Sequence, residues 1–543
     1  MAKYFLIIFF CFLSGQVLCA DYFISNQGND ADPGTSKKPW KSIAHANTIA
    51  FKAGDRIFFK GGDNFEGNFI LNEQSVSKPS NPITIGSYGN GSASILAGTK
   101  DGILVKNRSG IVVQDLLVIG SDRTLNQGYG VKIINEEPGQ GKLEFVRIKN
   151  VEAKGFRWAG IFVGGIPTDL PGVIAPEGSK YGFKDVIIEN CRAHDNMYYG
   201  IYITAAWNSQ SKEYGNEEVK IIKCIAYENP GDPLYTANHS GSGIMVDDTD
   251  TGLIEHCISY SNGALNAGLT GGPCGIWTHF STQMIIQYCE SYQNKTNGAA
   301  DGGGFDLDGG VSNSTIQYCY SHDNDGPGFL MWNYEGAPLQ LANNIIRYNI
   351  SANDSRKHTY GAIHIGNSGP PIKNIQVYNN TFYISESKEG NPMGIWTGGK
   401  VPNENFQFLN NIFITEGNVP LAQIGSNEKK FVFAANAFWN KKGFSLNYKN
   451  TLFNDFQSWI QDASQEHVLN NNLFTDPALS SMESIIVGFS RPLDALTSFQ
   501  LPENSPLINA GQKLSGDRIE KAEKDFWGNE LPENRISIGA HQR

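Results

Sequence analysis

Residues 186–196 read VIIENCRAHDN, and four variants of this stretch follow at nearly constant intervals. They are KIIKCIAYEN at 220–229, LIEHCISYSN at 253–262, IIQYCESYQN at 285–294 and TIQYCYSHDN at 315–324. Aligned on their cysteines, the five segments are 33, 33, 32 and 30 residues apart. A period of this length is typical of solenoids, in which each repeat forms one coil and buries its apolar side only by stacking on its neighbours.

The alignment places like residues in columns. The cysteine column holds Cys191, Cys224, Cys257, Cys289 and Cys319, and Asn349 extends it. Later columns hold His194, Tyr227, Tyr260, Tyr292 and His322, and then Asn196, Asn229, Asn262, Asn294 and Asn324. Stacked coils would bring the members of a column to about 4.8 Å from each other. Five stacked cysteines cannot all pair, so we expect mostly reduced thiols that face inward as small hydrophobes, with a zinc site as the alternative.

A second repeated strand begins with glycine and alternates in polarity. Its copies are GIFVG at 160, GIYIT at 200, GIMVD at 243, GIWTH at 275, GFDLD at 304, GFLMW at 328 and GIWTG at 394. GAIHIG near residue 361 joins them with an ambiguity of one residue in register. The first and third residues after glycine are mostly apolar, which indicates a half-buried strand. The two repeats together predict an all-β protein, a right-handed parallel β-helix of about ten coils.

The ends of the chain differ from the repeats. Residues 1–20 predict a signal peptide, with Lys3, an apolar stretch at 4–13 and small Ala20 at the cleavage site. A lipid anchor on Cys19 is less favoured because Leu18 is large for such a site. Residues 21–543 are predicted to form one domain. It would have an N-terminal cap over about 21–80, with an amphipathic helix at 40–54, and an irregular tail over about 416–543.

Charge and hydropathy narrow the partners. The formal net charge is -11 and the pI is about 5.5, so a nucleic acid is not expected, because it requires a basic surface. No segment after the leader has the length and apolarity of a membrane span. We therefore expect a secreted or periplasmic protein, and a monomer is the default for this architecture.

The alternation also predicts which side chains leave the coil on the glycine-led strand. Asp247, His279 and Asp308 fall in one outward line on three neighbouring coils, and Asp306 lies beside Asp308. Stacked carboxylates repel, so at least one should have a raised pKa. Carboxyl groups with separated pKa values are what glycoside hydrolysis needs, since one protonates the leaving oxygen and the other activates water or attacks. These four residues are the predicted catalytic set.

Further outward or neighbouring positions are predicted to bind substrate, through aromatic faces or hydrogen bonds. They are Tyr202, Asp248, Trp277, Trp332, Asn333, Glu335, His364 and Trp396. No metal ligand is assigned and no cofactor is required, but Asp247, Asp248 and Asp250 offer a possible calcium site, since calcium prefers clustered oxygen ligands. His239 and His358 lie in loops and receive no role. The loops at 165–182 and 206–217 are expected to wall one end of the outer groove.

Two terminal segments carry a resemblance to a known family. The start DYFISNQGNDADPGTSKKPWKSI and the end FTDP…SPLINAG…DFWGN…ISIGAHQR resemble those of secreted bacterial β-helix enzymes of the pectin-lyase-like superfamily. GFDLDGGVSNS looks like segments of the β-helix fucosidase and fucanase families. The resemblance covers nearly the whole mature chain and implies a carbohydrate-active enzyme that acts on a plant or algal glycan. Fold alone does not choose the activity.

Three functions remain open from the residues. The first is a glycoside hydrolase that uses the aspartates. The second is a polysaccharide lyase acting on a uronate polymer with calcium, although no Lys or Arg falls on the outward positions near Asp308. The third is a non-catalytic carbohydrate-binding β-helix. Asp306 and Asp308 are about 6.5–7 Å apart along their strand. Asp247 and Asp308 are about 9–10 Å apart across two coils. Both spacings predict inversion, with Asp306 or Asp308 as acid and Asp247 as a candidate base.

Overall fold

A computed structural model describes residues 19–167, 180–206, 208, 211–426, 428–465, 467–489, 491–514 and 522–543. Residues 1–18 of the predicted signal peptide lie outside the described residues. Most of the predicted groove wall at 165–182 lies outside them too. No helix in the described part of the chain is long and apolar enough to cross a membrane.

Three long parallel sheets wind into a β-solenoid of about fourteen coils. Each coil contributes one strand to each sheet in the same order, here named the first sheet, the second sheet and the groove sheet. The first sheet consists of Asp21–Ile24, Arg56–Lys60, Ile83–Tyr88, Ile111–Gln114, Lys142–Lys149, Gly182–Glu189, Asn216–Ile222, Thr249–Glu255, Thr282–Gln287, Thr315–Gln317, Ile345–Arg347, Lys373–Tyr378, Glu404–Leu409, Val432–Ala434 and Val468–Asn470.

The second sheet has short strands that follow the cysteine column. They are Asn64–Glu66, Ala93–Gly98, Leu116–Gly120, Glu152–Lys154, Arg192–His194, Ile225–Tyr227, Ile258–Tyr260, Glu290–Tyr292, Tyr320–His322, Ile350–Ala352, Thr381–Ile384, Ile412–Thr415, Ala437–Trp439 and Leu473–Phe474.

The groove sheet contains the glycine-led strands. They are Phe69–Ile70, Ile103–Lys106, Val131–Ile134, Ala159–Gly164, Tyr199–Thr204, Ser242–Asp247, Cys274–His279, Gly303–Asp308, Phe329–Asn333, Gly361–Asn367, Met393–Gly399, Ala422–Ile424, Leu446–Tyr448 and Thr451–Phe453, the last antiparallel to its neighbour. A small sheet pairs Lys357–His358 with Glu389–Gly390. The helices are Ile43–Ala46, Phe456–Ala463 and the 3₁₀ turns Leu493–Ala495 and Thr497–Phe499.

The corner between the first and second sheets explains the cysteine column. In successive coils the bend is made by a single residue with positive φ, as at Asn190 (52°) and Lys223 (53°). The next residue turns inward, and its backbone N–H donates to the side chain one coil further on, from Cys224 to Cys257 Sγ over 3.5 Å. The cysteines are buried and unpaired, as predicted.

Asparagine takes over the same column after Cys319. The Cys319 N–H donates to Asn349 Oδ1 over 2.9 Å, and Asn349 donates in turn to Asn380. The column continues through Asn411, Asn436 and Asn472. An amide can both donate and accept, so each buried asparagine joins its neighbours and satisfies backbone groups at the corner. This asparagine column carries the solenoid beyond the region where the cysteine repeat is visible.

Three sequence predictions about the architecture need correction. The coils number about fourteen rather than ten, and they continue to Leu473–Phe474 instead of decaying near residue 416. Their first strands lie inside the segment assigned to the cap, from Arg56 onward. The sequence repeat weakens at both ends because other residues replace cysteine at the corner, such as Leu116 and Val151 on one side and Asn349 on the other.

The predicted capping helix at 40–54 is mostly not a helix. Only Ile43–Ala46 is helical, with Ser42 as the N-cap. Trp40 instead pairs with Ile24 in an isolated bridge, and its ring stacks on Tyr22 at 5.0 Å. The Asn47 side chain accepts a hydrogen bond from the N–H of Ile70, which ties the helix end to the first coil. The short helix still buries Ile43 and Ala46 against the end of the core.

The segment after the last coil packs back along the solenoid. Val487 and Gly488 donate their N–H groups to the carboxylate of Glu290, over 2.7 and 2.6 Å. Further along the coils, Asn379 donates to the carbonyls of Ser537 and Gly539. The tail therefore covers the outside of the coils instead of extending them.

Candidate functional site

Two parallel rows of outward side chains cross the middle of the groove sheet. In the first row Asp247 lies opposite His279, His279 opposite Asp308, and Asp308 opposite Trp332. The register is the one expected from the glycine-led repeat. Each residue reaches the outer face because its neighbours along the strand, such as Leu307 beside Asp308, are buried in the core.

The second row lies beside the first and is mostly aromatic or apolar. Pairing of adjacent strands sets its order as Met245, Trp277, Asp306, Leu330, His364 and Trp396. The pairing also resolves the ambiguity at GAIHIG, where Ala362 takes the place of glycine. Asp306 is the acidic residue of this row and stands two positions before Asp308 on the same strand.

The rows form the floor of a cavity of about 1030 Å³. This is at the upper end of the range for small-molecule sites. One wall comes from loops that precede the groove strands, at Ala237–His239, Thr270–Gly272, Ala299–Asp301 and His358–Tyr360. The opposite wall holds Tyr334, Glu335 and Ser368.

The loop wall was not predicted, and His239 and His358 were given no role. A signal was present in the sequence. The coils at 230–242, 263–274 and 295–303 insert long segments between the asparagine column and the next glycine-led strand, where neighbouring coils insert very few residues. Spacing alone does not tell where such loops fold, so their convergence over the aspartates required the structure.

A hydrogen-bonded chain runs through the first row. His279 Nδ1 lies 2.9 Å from Asp247 Oδ1, and His279 Nε2 lies 2.9 Å from the Tyr334 hydroxyl. The second oxygen of Asp247 accepts a hydrogen bond from Thr204 Oγ1 over 2.9 Å. Both carboxylate oxygens of Asp247 are therefore engaged, and the imidazole is fixed at both nitrogens. Tyr334, which follows the strand end, was missing from the predicted site.

Asp306 is a deeply buried acid on the cavity floor. The residue is only 4% exposed, and its Oδ1 has no hydrogen-bond partner within the described part of the chain. Burial, reinforced by the nearby Asp308 charge, raises the pKa of Asp306 well above its ordinary value. The protonated form of Asp306 is therefore favoured over a pH range in which an ordinary aspartate is ionised.

Asp308 differs from Asp306 although the two are neighbours. Its Oδ1 accepts a hydrogen bond from the Gly309 N–H over 2.8 Å. Burial raises the pKa of Asp308 to about 6, and the adjacent His279 opposes that rise. Of the two, Asp306 is the more strongly shifted acid and so keeps its proton to the higher pH, whereas Asp308 ionises above about pH 6. Two acids on one strand with such different pKa values can serve as a proton donor and a proton acceptor.

Aromatic side chains surround the two acids. Trp396 and His364 stack in parallel with ring centroids 4.0 Å apart, and Trp332 lies 6.3 Å from Trp396. On the other side of Asp306, His239 meets the Trp277 ring edge-on at 5.0 Å. Burial lowers the pKa of His239 to about 4 and that of His364 to about 3, so both imidazoles are neutral.

Three residues predicted to bind substrate do not line the cavity. Tyr202 is fully buried and stacks on Tyr199 at 4.2 Å, so it helps to close the groove one coil before Asp247. Asp248 has a positive φ of 53°, which turns its side chain away from the groove into an ion pair with Lys180. Asn333 is fully buried and donates to the Pro370 carbonyl over 3.0 Å.

The other predicted binding residues do line it. Trp277, Trp332, His364 and Trp396 lie on the floor, and Glu335 lies at the exposed rim, where it pairs with Lys400 over 3.1 Å. The calcium arrangement is not formed, because Asp247 faces the groove while Asp248 points behind the strand. Among the described residues, no group of three or more His, Cys, Asp or Glu side chains could hold a metal ion.

A family model described as right-handed β-helix region matches residues 139–413. This chain belongs to the right-handed β-helix family. The match spans the coils that build the whole floor of the cavity, and it makes the handedness of the solenoid the one predicted from the repeat. No curated protein sequence matches the chain.

Two solved structures resemble this protein in fold, and a third is similar over nearly the whole chain at a lower TM-score. The GH136 lacto-N-biosidase from Eubacterium ramulus is 19% identical, with a TM-score of 0.52 over 69% of this chain and 68% of that one. XylC in complex with xylose is 12% identical, with a TM-score of 0.52 over 96% and 98% of the two chains. Pectate lyase Pel9A is 16% identical, with a TM-score of 0.42 over 97% and 98%. At these identities the likeness concerns the fold.

Proposed function

We propose that this β-helix protein is an exported glycoside hydrolase that cleaves a polysaccharide or oligosaccharide with inversion of configuration. The observation that carries the proposal is the pair Asp306 and Asp308, which face one cavity from one strand with strongly different pKa values. Carbohydrate-related fold neighbours, such as XylC with xylose, are compatible with this activity but do not select it.

In this mechanism Asp306 is the general acid and Asp308 the general base. Asp306 gives its proton to the glycosidic oxygen as the bond from that oxygen to the anomeric carbon breaks. Asp308 takes a proton from the water whose oxygen attacks the same carbon from the opposite face. Their backbones are about 6.5–7 Å apart along the strand, which is within the spacing that admits a water molecule.

This assignment moves the base from Asp247, the candidate chosen from the sequence, to Asp308. Asp247 is less suited because Thr204 and His279 occupy both of its oxygens. Its proposed role is to hold His279 in place beside Asp308. The imidazole can then stabilise the ionised form of the base, while Trp277, Trp332 and Trp396 bind the apolar faces of the sugar rings.

The His279–Tyr334 contact favours one second candidate, a polysaccharide lyase. A histidine in contact with a phenol can move a proton, and a lyase must remove the proton next to a uronic carboxyl group. The lyase also needs a cation that neutralises that carboxyl group, and the residues lining the cavity include no Lys or Arg.

Product analysis on a panel of plant and algal glycans tests the proposal. A hydrolase yields saturated non-reducing ends, and a lyase yields unsaturated non-reducing ends that absorb in the ultraviolet. A binding protein yields neither. We expect saturated ends, and NMR of the first product should show the anomeric configuration inverted. Unsaturated ends would favour the lyase, and retained configuration would overturn the acid and base assignment.

A further inference from the structure

The charge of the cavity wall identifies the class of sugar it accepts. Four carboxyl groups line the cavity, from Asp247, Asp301, Asp306 and Asp308, and a fifth, Glu335, stands at its rim. Among the same lining residues there is no Lys or Arg. Asp247 and Asp308 therefore give the cavity a negative field, and His279, which lies between them, is already bound to Asp247 and Tyr334.

Three lysines close to lining residues, in sequence or through an ion pair, are engaged elsewhere. Lys400 is 62% exposed and pairs with Glu335 at the rim. The Lys357 ammonium group donates a hydrogen bond to the Thr296 carbonyl over 2.7 Å. Lys180 pairs with buried Asp248 behind the groove sheet. None of these ammonium groups faces the floor beside Asp306.

The buried imidazoles do not supply a positive charge either. His239 and His364 stand at opposite sides of the acidic pair, and each is held against a tryptophan. Both are neutral near pH 7, as burial disfavours their charged forms. Asp306 is nine-tenths buried, lines the cavity and has an unpartnered Oδ1, so the floor offers a proton donor rather than a cation.

We propose that the cavity binds uncharged sugar units on both sides of Asp306 and excludes uronic acids and sulfated sugars. An anionic substituent here would lose its hydration and face the negative field of Asp247 and Asp308, while the imidazole between them, His279, is already held by Asp247 and Tyr334. Taking a charge out of water is favourable only when it is paired, so this field acts as a selectivity filter. Neutral hydroxyl groups can instead bond to Asn238, Thr270, Ser368 and Tyr360, which also line the cavity.

The inference rests on the proposed function only for the position of the cleaved bond, so binding rather than turnover tests it. The protein used is the full chain with Asp306→Asn, which retains the shape of the floor. Its ligands are matched pairs of oligosaccharides, each a uronic-acid oligomer and its carboxyl-reduced neutral form, drawn from several linkage types. Isothermal titration measures the two affinities within each pair.

We expect at least one neutral form to bind, and its uronic partner to bind at least about a hundredfold more weakly, since juxtaposed like charges cost several kcal/mol. Equal or tighter binding of the uronic form would overturn the inference. Absence of binding by either member in every pair would overturn it too. Unsaturated products from the wild-type enzyme would instead refute the hydrolase, which keeps the two failures distinguishable.

A gain-of-charge variant adds an independent arm. Thr270 is exposed at the cavity wall, so Thr270→Lys in the Asp306→Asn background places an ammonium group within reach of the floor. We expect Thr270→Lys to reduce the ratio of the neutral to the uronic affinity by about tenfold or more. Thr451→Lys, on an exposed strand far from the cavity, is the matched control and should leave the ratio unchanged. An unchanged ratio in Thr270→Lys would count against the charge filter.

Discussion

The inner corner of the coil and the outer face of the groove sheet are built by the same stacking, yet they treat polar groups in opposite ways. At the corner Asn380 donates to Asn411 Oδ1 and to the Ile346 carbonyl, each over 2.9 Å, and accepts from Asn349. On the groove sheet the same spacing puts Asp308 next to His279, and Asp306 Oδ1 has no hydrogen-bond partner among the described residues. Stacking stabilises a column of amides, whereas on the groove floor burial raises the pKa of both carboxyl groups.

The two regions contribute to the free energy of unfolding with opposite signs. A buried amide column satisfies its own hydrogen bonds and adds to the free energy of unfolding. A buried, unpartnered acid subtracts from it, and such groups persist mainly at functional sites. The corner and the groove floor therefore respond in opposite directions to comparable substitutions.

The largest expected effect is on turnover from the groove floor. Asp306→Asn replaces the carboxyl group that is proposed to protonate the glycosidic oxygen. The amide has about the same size but cannot act as that acid. We expect kcat on the true substrate to fall by about 10²–10⁴-fold, the usual contribution of a general acid. The free energy of unfolding from urea titration should not decrease, since a neutral amide replaces an acid that is costly to bury.

Asp250→Asn is the matched control for this variant. Asp250 lies in the first sheet, away from the cavity, and its carboxylate binds Gln283 over 2.9 Å. It should keep wild-type turnover. Near-normal activity of Asp306→Asn would place the general acid elsewhere, and unfolding of this variant would contradict the contrast between the two regions.

A smaller but opposite effect is expected at the corner. Asn380→Ala leaves the buried backbone N–H of Asn349 without its acceptor and removes the hydrogen bonds from the Asn380 amide to Asn411 Oδ1 and to the Ile346 carbonyl. Each unsatisfied buried group costs about 1–3 kcal/mol, so we expect unfolding in urea to be about 2–4 kcal/mol less unfavourable, with kcat of the folded fraction unchanged.

Asn90→Ala, in an exposed turn, is the control for the corner substitution and should change stability by less than about 0.5 kcal/mol. If Asn380→Ala proved as stable as this control, the asparagine column would be a consequence of the fold and not a cause of its stability.

The smallest effect is the pH dependence of stability contributed by Asp308. Its pKa is about 6 in the folded protein and about 3.9 in an unfolded chain, so between these values the folded state binds more protons. Stability from this group is therefore fully present below about pH 4 and is lost as pH rises through about 6, by about 1–2 kcal/mol once solvent screening of this partly exposed carboxyl reduces the roughly 3 kcal/mol that two pKa units represent.

Comparing Asp308→Asn with the wild type by thermal unfolding across this window isolates the contribution. The variant should lose that part of the slope, since it cannot ionise. If both proteins showed the same slope from pH 4 to pH 7, Asp308 would not titrate near 6. The wild-type activity should likewise fall as pH drops below about 6, because the base becomes protonated.

Much of the architecture could be predicted because each position of the repeat keeps one kind of side chain with one structural role. The interval between cysteines predicts the coil, and the glycine-led alternation places Asp247, His279 and Asp308 in line without any contact information. The coil count was too low because cysteine is replaced at the corner in the end coils, by Leu116 and Val151 on one side and by asparagine from Asn349 on the other, so the cysteine interval is lost there. The prediction of a helix over 40–54 was wrong because Trp40 pairs with Ile24 in a β-bridge, which the amphipathic pattern of that segment does not reveal.

The sequence by itself determined the fold class, the inward columns and the outward rows, since period and alternation are local properties that stacking repeats without change. Only the tertiary structure decided which outward residues form a site. Tyr334, His239 and Tyr360 reach the aspartates through loops whose paths depend on neighbouring coils. Asp248 and Asn333 leave the cavity because one positive φ and one loop carbonyl redirect them. The separation of Asp306 from Asp308 in pKa likewise depends on burial, which arises from the packed coils and walls around them.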